Sequence, residues 1–265
     1  AEQTLLSEQY TTTVNEKKIA VAWQPKGAMK EGPATLRVVA RDRSLWNLFS
    51  GNETVWQKNL TIDVTPPVIE LIADDRYVNF GGVGVVVYKT SPDTATSGVK
   101  IADRFFPGYA GQIKEHPDHL IALFAHPYNV PASAKASLVA TDKAGNRKEL
   151  ALVYELKDVR YRKSTIALSD SFLQNKVAPL LSDAGARQGT PKEVFVRVNK
   201  DLRKVNEDKI AAVTSQRTPN MLWKGAFRQL SNSKVEANFA DERTYTYNGE
   251  PVDTAYHLGY DLSVT

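Results

Sequence analysis

The sequence predicts a mainly β, multi-domain chain with one helical segment: two β-sandwich modules in tandem, a helical region, then the first strands of a further β-rich domain. Three observations carry that expectation. Short runs rich in Val, Leu and Thr, punctuated by turn residues, fill the chain as far as residue 157, which is the signature of antiparallel β-structure. One stretch repeats: A-T-L-R-V-V-A-R-D-R at 34–43 lies over A-S-L-V-A-T-D-K at 136–143, with Ala40 and Asp42 falling on Ala140 and Asp142 at an offset of 100 residues. Beyond Lys157 the apolar spacing changes to that of helices.

In order, the first module (1–66) holds a strand over 34–43, a turn, and a second strand over 54–64. Thr65-Pro66-Pro67 forms the junction, because two prolines remove ladder donors and stiffen the connection. The second module (67–157) opens on Val68-Ile69-Glu70-Leu71 and closes with the 136–143 strand, the turn Ala144-Gly145-Asn146, and a last strand over 147–156. Within it, Phe80-Gly81-Gly82-Val83-Gly84 lacks the Lys-Ser/Thr of a phosphate loop, so Tyr77 to Tyr88 reads as a β-hairpin with a glycine turn or bulge. The two segments and their T-P-P-x-I junction resemble bacterial immunoglobulin-like repeats, which implies a sandwich fold for each.

The helical region (158–232) starts where Ser169 and Asp170 cap a run through Phe172, Leu173, Val177, Leu180 and Leu181. Thr190-Pro191-Lys192-Glu193 is a capping box with Pro at the first helical position. Val194, Val198, Leu202, Val205 and Ile210 fall close to one face of the helix that follows, with Arg197, Lys200, Arg203 and Lys204 on a solvated basic face. Arg217-Thr218-Pro219 ends it. Met221-Leu222-Trp223 to Leu230 is expected to add a short helical turn, with Trp223 and Phe227 at i, i+4 in the core. In the last part (233–265), Val235, Ala237 and Phe239 alternate as in a strand, and Asn248-Gly249 is a hairpin turn.

Composition bounds the function. With 265 residues, 42% hydrophobic and 24% charged, the chain is an ordinary globular one of several domains. A net charge of +4 favours encounters with anionic wall polymers but is too small and dispersed for a nucleic-acid footprint. There is no cysteine, which excludes disulfides and thiolate metal sites. No run of about 20 apolar residues marks a transmembrane segment, and the N-terminus lacks the pattern of a signal peptide; an envelope protein of this sequence would have had its signal or anchor removed.

The chemistry concentrates in His257-Leu258-Gly259-Tyr260-Asp261. Neutral imidazole and carboxylate are both zinc ligands, and a catalytic zinc takes three protein ligands and a water. Four residues of straight strand span roughly 13 Å, so the backbone has to bend, most easily at Gly259. Read with Arg243-Thr244-Tyr245, the stretch Tyr247-Asn248-Gly249-Glu250-Pro251-Val252-Asp253 and the following Tyr256, this block resembles the start of the lysostaphin-type (LytM-like) zinc metalloendopeptidase domain. The resemblance covers about the last 30 residues. It implies that His257 and Asp261 are the first two zinc ligands of an H-x-x-x-D motif, that a later H-x-H supplies the third ligand and a histidine for proton transfer, and that the substrate is the peptide part of bacterial peptidoglycan in the cell envelope.

The other histidines, His116, His119 and His126, lie upstream and form no H-x-H. His116 and His119, with Pro117 between them, are expected in a polar loop. No catalytic residue is therefore expected within this chain, which reads as the front part of a longer enzyme and is not competent alone. Glu250 and Asp253 lie near the motif and are expected to solvate the Asn248-Gly249 turn. A different class stays open: a noncatalytic envelope scaffold or adhesion protein, or a degenerate activator of another wall hydrolase.

Overall fold

A computed structural model describes residues 3–10, 18, 20, 30–42, 44 and 51–264. The chain is mainly β with a helical segment, and its strands form several separate sheets. Strands β1 (Gly32–Arg41) and β2 (Glu53–Ile62) make an antiparallel ribbon in which Ala40 opposes Thr54. The rest of the expected first module falls largely outside the described residues.

The repeated aspartate has a structural meaning. Asp42 closes the β1–β2 connection: its amide donates to the Asn52 carbonyl (3.0 Å), and its Oδ1 accepts from the Asn52 amide (2.7 Å) and the Ser44 amide (3.0 Å). Asp142 does the same in a shorter turn, its amide donating to the Asn146 carbonyl (3.0 Å) and its Oδ1 accepting from Ala144 (2.9 Å) and Asn146 (2.8 Å). An Asp that bonds backbone amides downstream fixes a turn, so the sequence repeat is a repeat of turn chemistry.

The second module contains β3 (Ile69–Asp74), β4 (Tyr77–Asn79), β5 (Val83–Thr90), β6 (Thr94–Ile101), β7 (Arg104–Pro107), β8 (Leu120–Ala125), β9 (Ala136–Asp142), β10 (Arg147–Leu152) and β11 (Glu155–Lys157). One sheet has the order β3-β5-β8 and the other β10-β9-β6-β7. Along β5, Gly84, Val86 and Tyr88 are buried while Val85 and Val87 are less so, because alternate side chains face opposite sides of a strand. Val86, Tyr88, Ala122 and Phe124 meet Val99, Ile101, Leu138 and Leu152 of the other sheet in one core. The expected 77–88 hairpin forms only in part. The turn is there, with the Gly82 amide donating to the Asn79 carbonyl (2.7 Å), but β4 runs parallel to β11 rather than pairing with β5. Gly81, at φ +74°, sits where a Cβ would meet the Tyr161 side chain, so the turn needs glycine there.

Tyr88 gives the module an alkaline limit. Its hydroxyl shares a hydrogen bond with Ser97 Oγ (2.9 Å) in the core, and burial pushes its phenol up to about 12. Below about pH 10 the phenol is neutral in both states, and above it the unfolded chain ionises first, so the contribution is complete below about pH 10 and is lost as pH rises from there towards 12. That difference corresponds to about 2–3 kcal/mol. Unfolding in denaturant as a function of pH should show this loss, and Tyr88→Phe should flatten it.

After the sandwich the sequence leads into β12 (Lys163–Leu168), a strand that the helical expectation for this stretch passed over. It pairs in parallel with β14 (Glu242–Tyr247), which pairs antiparallel with β15 (Glu250–Tyr256); β13 (Ser233–Ala237) and β16 (Asp261–Val264) form a separate antiparallel pair. Asn248 and Gly249 both take positive φ at the β14–β15 turn, as a two-residue hairpin loop requires.

Ser169 Oγ accepts from the Phe172 amide (3.2 Å) at the first helical start, and Thr190 and Glu193 form the reciprocal capping box at the second. Leu168, Leu173, Val177 and Phe195 pack with Tyr245, Tyr247 and Val252, so the helices cover the β12-β14-β15 sheet. The expected apolar face does not persist. A wide π turn over Arg197–Leu202 breaks the 3.6 spacing, and Val205 and Ile210 are exposed at 48% and 63%. Residues 221–230 form no helix, and Trp223 and Phe227 are exposed rather than core, their rings packing on each other at 5.6 Å. Among the described residues no helix is long and apolar enough to cross a membrane.

Candidate metal centre

His257 follows β15 directly and is held by its backbone. Its amide donates to the Asp241 carbonyl (2.9 Å) and its carbonyl accepts from the Ala240 amide (2.6 Å). Ala240 is fully buried with φ +64°, a conformation that non-glycine residues adopt only when their surroundings impose it. The chain then bends at Gly259 and re-enters a sheet at Asp261, which pairs with Ala237 of β13. Two anchored ends with a bend between them bring the side chains together.

His257 Nε2 lies 3.4 Å from Asp261 Oδ1. Two ligand atoms about 2.0–2.1 Å from one tetrahedral zinc stand roughly 3.3–3.5 Å apart, so the pair has the spacing that a shared ion needs. Nε2 is shut off from solvent, and although close to the carboxylate it has no hydrogen-bond partner among the described residues. A buried nitrogen left unpaired is costly, and a metal is one way to satisfy it. Asp261 is open to solvent at 58%, with the Arg243 guanidinium 3.7 Å from its Oδ2. No third His, Asp or Glu joins these two within ligand reach among the described residues.

The bend does not use the freedom for which the glycine was singled out. Gly259 is not in the positive-φ region, and a Cβ there would meet nothing within 4 Å. Gly259→Ala should therefore change stability by less than about 1 kcal/mol and leave metal affinity unaltered, as thermal unfolding and a zinc titration would show.

The remaining sequence candidates are placed elsewhere. His116 and His119 sit in the loop between β7 and β8 with their rings stacked 4.5 Å apart. His126 is buried, its Nδ1 bonded to the Tyr154 hydroxyl (2.9 Å) and its Nε2 near the Pro131 carbonyl (3.2 Å). Asp253 is not a solvating charge of the turn: its side chain is 7% exposed, accepts from Asn199 Nδ2 (2.7 Å) and pairs with Lys200 (3.4 Å). It ties the second helical segment to β15. Glu250 is exposed beside the turn.

Tyr128, Tyr161 and Tyr256 with Arg160, Lys163 and Glu242 line an open hollow of about 460 Å³, in which Lys163 pairs with Glu242 (3.2 Å). Tyr128 comes from the sandwich module and packs edge-on to Phe239 (5.6 Å) and against Tyr256 (5.2 Å). A second group of metal-capable residues escaped sequence inspection: one carboxylate oxygen each of Asp63, Asp93 and Asp142 lies within 4.8 Å of the others. They are separated by tens of residues, so no spacing motif announces them.

Among known proteins, no family matches this chain and no curated sequence does either. A solved structure, that of the Bacteroides ovatus mixed-linkage glucan utilization locus protein SGBP-B in complex with a mixed-linkage heptasaccharide, is similar at 13% identity and a TM-score of 0.23. The match covers 53% of this chain and 35% of that one. A likeness this slight carries no argument about fold or ligand.

Proposed function

We propose that this chain carries the opening part of a zinc metalloendopeptidase domain, in which His257 and Asp261 are two of the zinc ligands, preceded by a helical layer and β-modules. The observation that carries the reading is the buried, unpartnered His257 Nε2 at 3.4 Å from Asp261 Oδ1. Bound zinc would supply an acidified water and a polarised scissile carbonyl. His257, fixed through its backbone to Ala240 and Asp241, sets the ligand position. Asp261 supplies negative charge, and Arg243 orients that carboxylate from its far side. The tyrosine-lined hollow at Tyr256, with Arg160 beside the Lys163–Glu242 pair, would suit an extended polar chain such as a wall peptide of peptidoglycan, and that substrate would set the protein's work in the bacterial envelope.

The test is muropeptide hydrolysis by the protein carrying its whole peptidase domain. Zinc-dependent cleavage is expected, and His257→Ala should abolish it; unchanged cleavage by that variant would remove the assignment. The guanidinium near Asp261 favours a second reading, in which His257, Asp261 and Arg243 form a polar contact of a noncatalytic envelope scaffold or hydrolase activator. In that case zinc would leave both folding and wall binding unaffected.

A further inference from the structure

Asp63, Asp93 and Asp142 converge from different parts of the chain. Asp63 follows β2 immediately before the Thr65-Pro66-Pro67 junction, Asp93 occupies the turn between β5 and β6, and Asp142 ends β9. One oxygen from each lies within 4.8 Å of the others, and Asp142 is only 3% exposed. Every donor that reaches them is neutral. The Thr65 amide donates to Asp63 Oδ1 (3.1 Å), and Asn146 Nδ2 donates to Asp142 Oδ2 (2.9 Å) and to the Asp63 carbonyl (3.0 Å). Among the described residues no Lys or Arg forms an ion pair with any of the three. Like charges this close repel, and only neutral hydrogen-bond donors among those residues offset the repulsion.

A second, independent observation points to a ligand. Asp93 Oδ1 is sealed from solvent and has no hydrogen-bond partner among the described residues, and the neighbouring Thr94 Oγ1 is in the same state. A carboxylate oxygen pays a large desolvation cost when buried unpaired, and native structures rarely leave one so without a bound group to satisfy it. Asp142 is oriented by its own turn, Oδ1 accepting from the Ala144 and Asn146 amides and Oδ2 from Asn146 Nδ2.

We propose that Asp63, Asp93 and Asp142 bind one calcium ion at the junction between the β1–β2 ribbon and the second module. An all-oxygen, all-anionic set selects a hard cation over zinc. Calcium takes six to eight oxygen ligands, carboxylates among them, whereas magnesium keeps several waters and is seldom held by an all-protein cage, so a set of three protein carboxylates favours calcium. The three oxygens all lie within 4.8 Å of one another, close enough to share one ion. The Asn146 amide already bridges Asp63 and Asp142 across this junction. Calcium would convert that single neutral link into an ionic cross-link on either side of Pro66 and Pro67, so that the angle between the two units becomes calcium-dependent.

The experiment is a calorimetric calcium titration of the chelator-treated chain, with thermal unfolding in parallel. One calcium per chain is expected, with a Kd below about 1 mM and a higher Tm in calcium than in chelator. Asp93→Asn should weaken binding by about tenfold or more without lowering the Tm measured in chelator, because it removes a repelling charge. Asp63→Asn is the second variant, since neither residue closes the turn that Asp142 holds. His257→Ala should leave calcium affinity unchanged, which separates this site from the proposed zinc centre. Absence of heat and of a Tm shift at about 5 mM calcium, or wild-type affinity in Asp93→Asn, would overturn the proposal.

Discussion

Phe124→Ala should destabilise the second module by about 3–5 kcal/mol, the range for emptying an aromatic site in a packed core. Phe124 is 1% exposed and lies 5.5 Å, ring centroid to centroid, from Tyr154. Its neighbour on the next strand is Gly84, where a Cβ would come within 2.8 Å of the Phe124 ring and 2.9 Å of Val78. Glycine is thus the space into which the ring fits. Truncation leaves a hole that two hydrogen-bonded strands cannot close. For a domain of this size the loss lowers Tm by tens of degrees and consumes much of a typical total stability of about 5–15 kcal/mol. Gly84→Ala alone should destabilise by overpacking. Made together with Phe124→Ala, it should cost less than the sum, because the added methyl occupies part of the hole. A double-mutant cycle by denaturant unfolding would read this coupling, and additive effects would mean that the two residues do not share the space.

The other large effect is expected at the candidate zinc pair, His257 and Asp261. With two protein ligands, the chain as given should bind zinc weakly, since water must fill the remaining positions. His257→Ala should lower that affinity by a hundredfold or more, because even the loss of an outer partner of a ligand costs about 10–100-fold. The fold should survive: the His257 side chain makes no hydrogen bond among the described residues, and the backbone bonds to Ala240 and Asp241 do not depend on it. Asp261→Asn should weaken zinc binding less, because an amide oxygen keeps the shape while losing the charge. Zinc competition with a coloured chelator distinguishes the three proteins. Equal affinity in all of them would place the bound zinc elsewhere.

Where local chemistry decides the structure, the sequence was readable. The capping box at Thr190 and Glu193, the cap at Ser169, the Asn248-Gly249 turn and the paired turns at Asp42 and Asp142 all rest on contacts within ten residues of one another. Reading failed where a distant partner decides. Lys163–Leu168 becomes a strand because β14 lies beside it, almost 80 residues further on. β4 leaves its apparent hairpin because β11 offers a parallel edge. The apolar stripe from Val194 to Ile210 is broken by a π turn that periodicity does not foresee, and there Asn199 reaches Asp253 instead of solvent. Trp223 and Phe227 kept their spacing but not their burial, since helical spacing says nothing of whether a partner surface exists.

The candidate centre divides in the same way. The closeness of His257 and Asp261 was legible because the two fall within one short motif, and the bend that unites them follows from β15 and β16 belonging to different sheets. The part assigned to Gly259 was its conformational freedom, yet the bend needs none. The acidic group was illegible because Asp63, Asp93 and Asp142 meet only through the packing of two units.

Zinc-edge anomalous diffraction from crystals soaked in about 2 mM zinc reads the His257–Asp261 pair itself. A peak is expected within bonding distance of both His257 Nε2 and Asp261, about 2.0–2.2 Å from each, that vanishes in His257→Ala. A peak at another site with none between these two side chains, or one that persists in the variant, would contradict the zinc assignment.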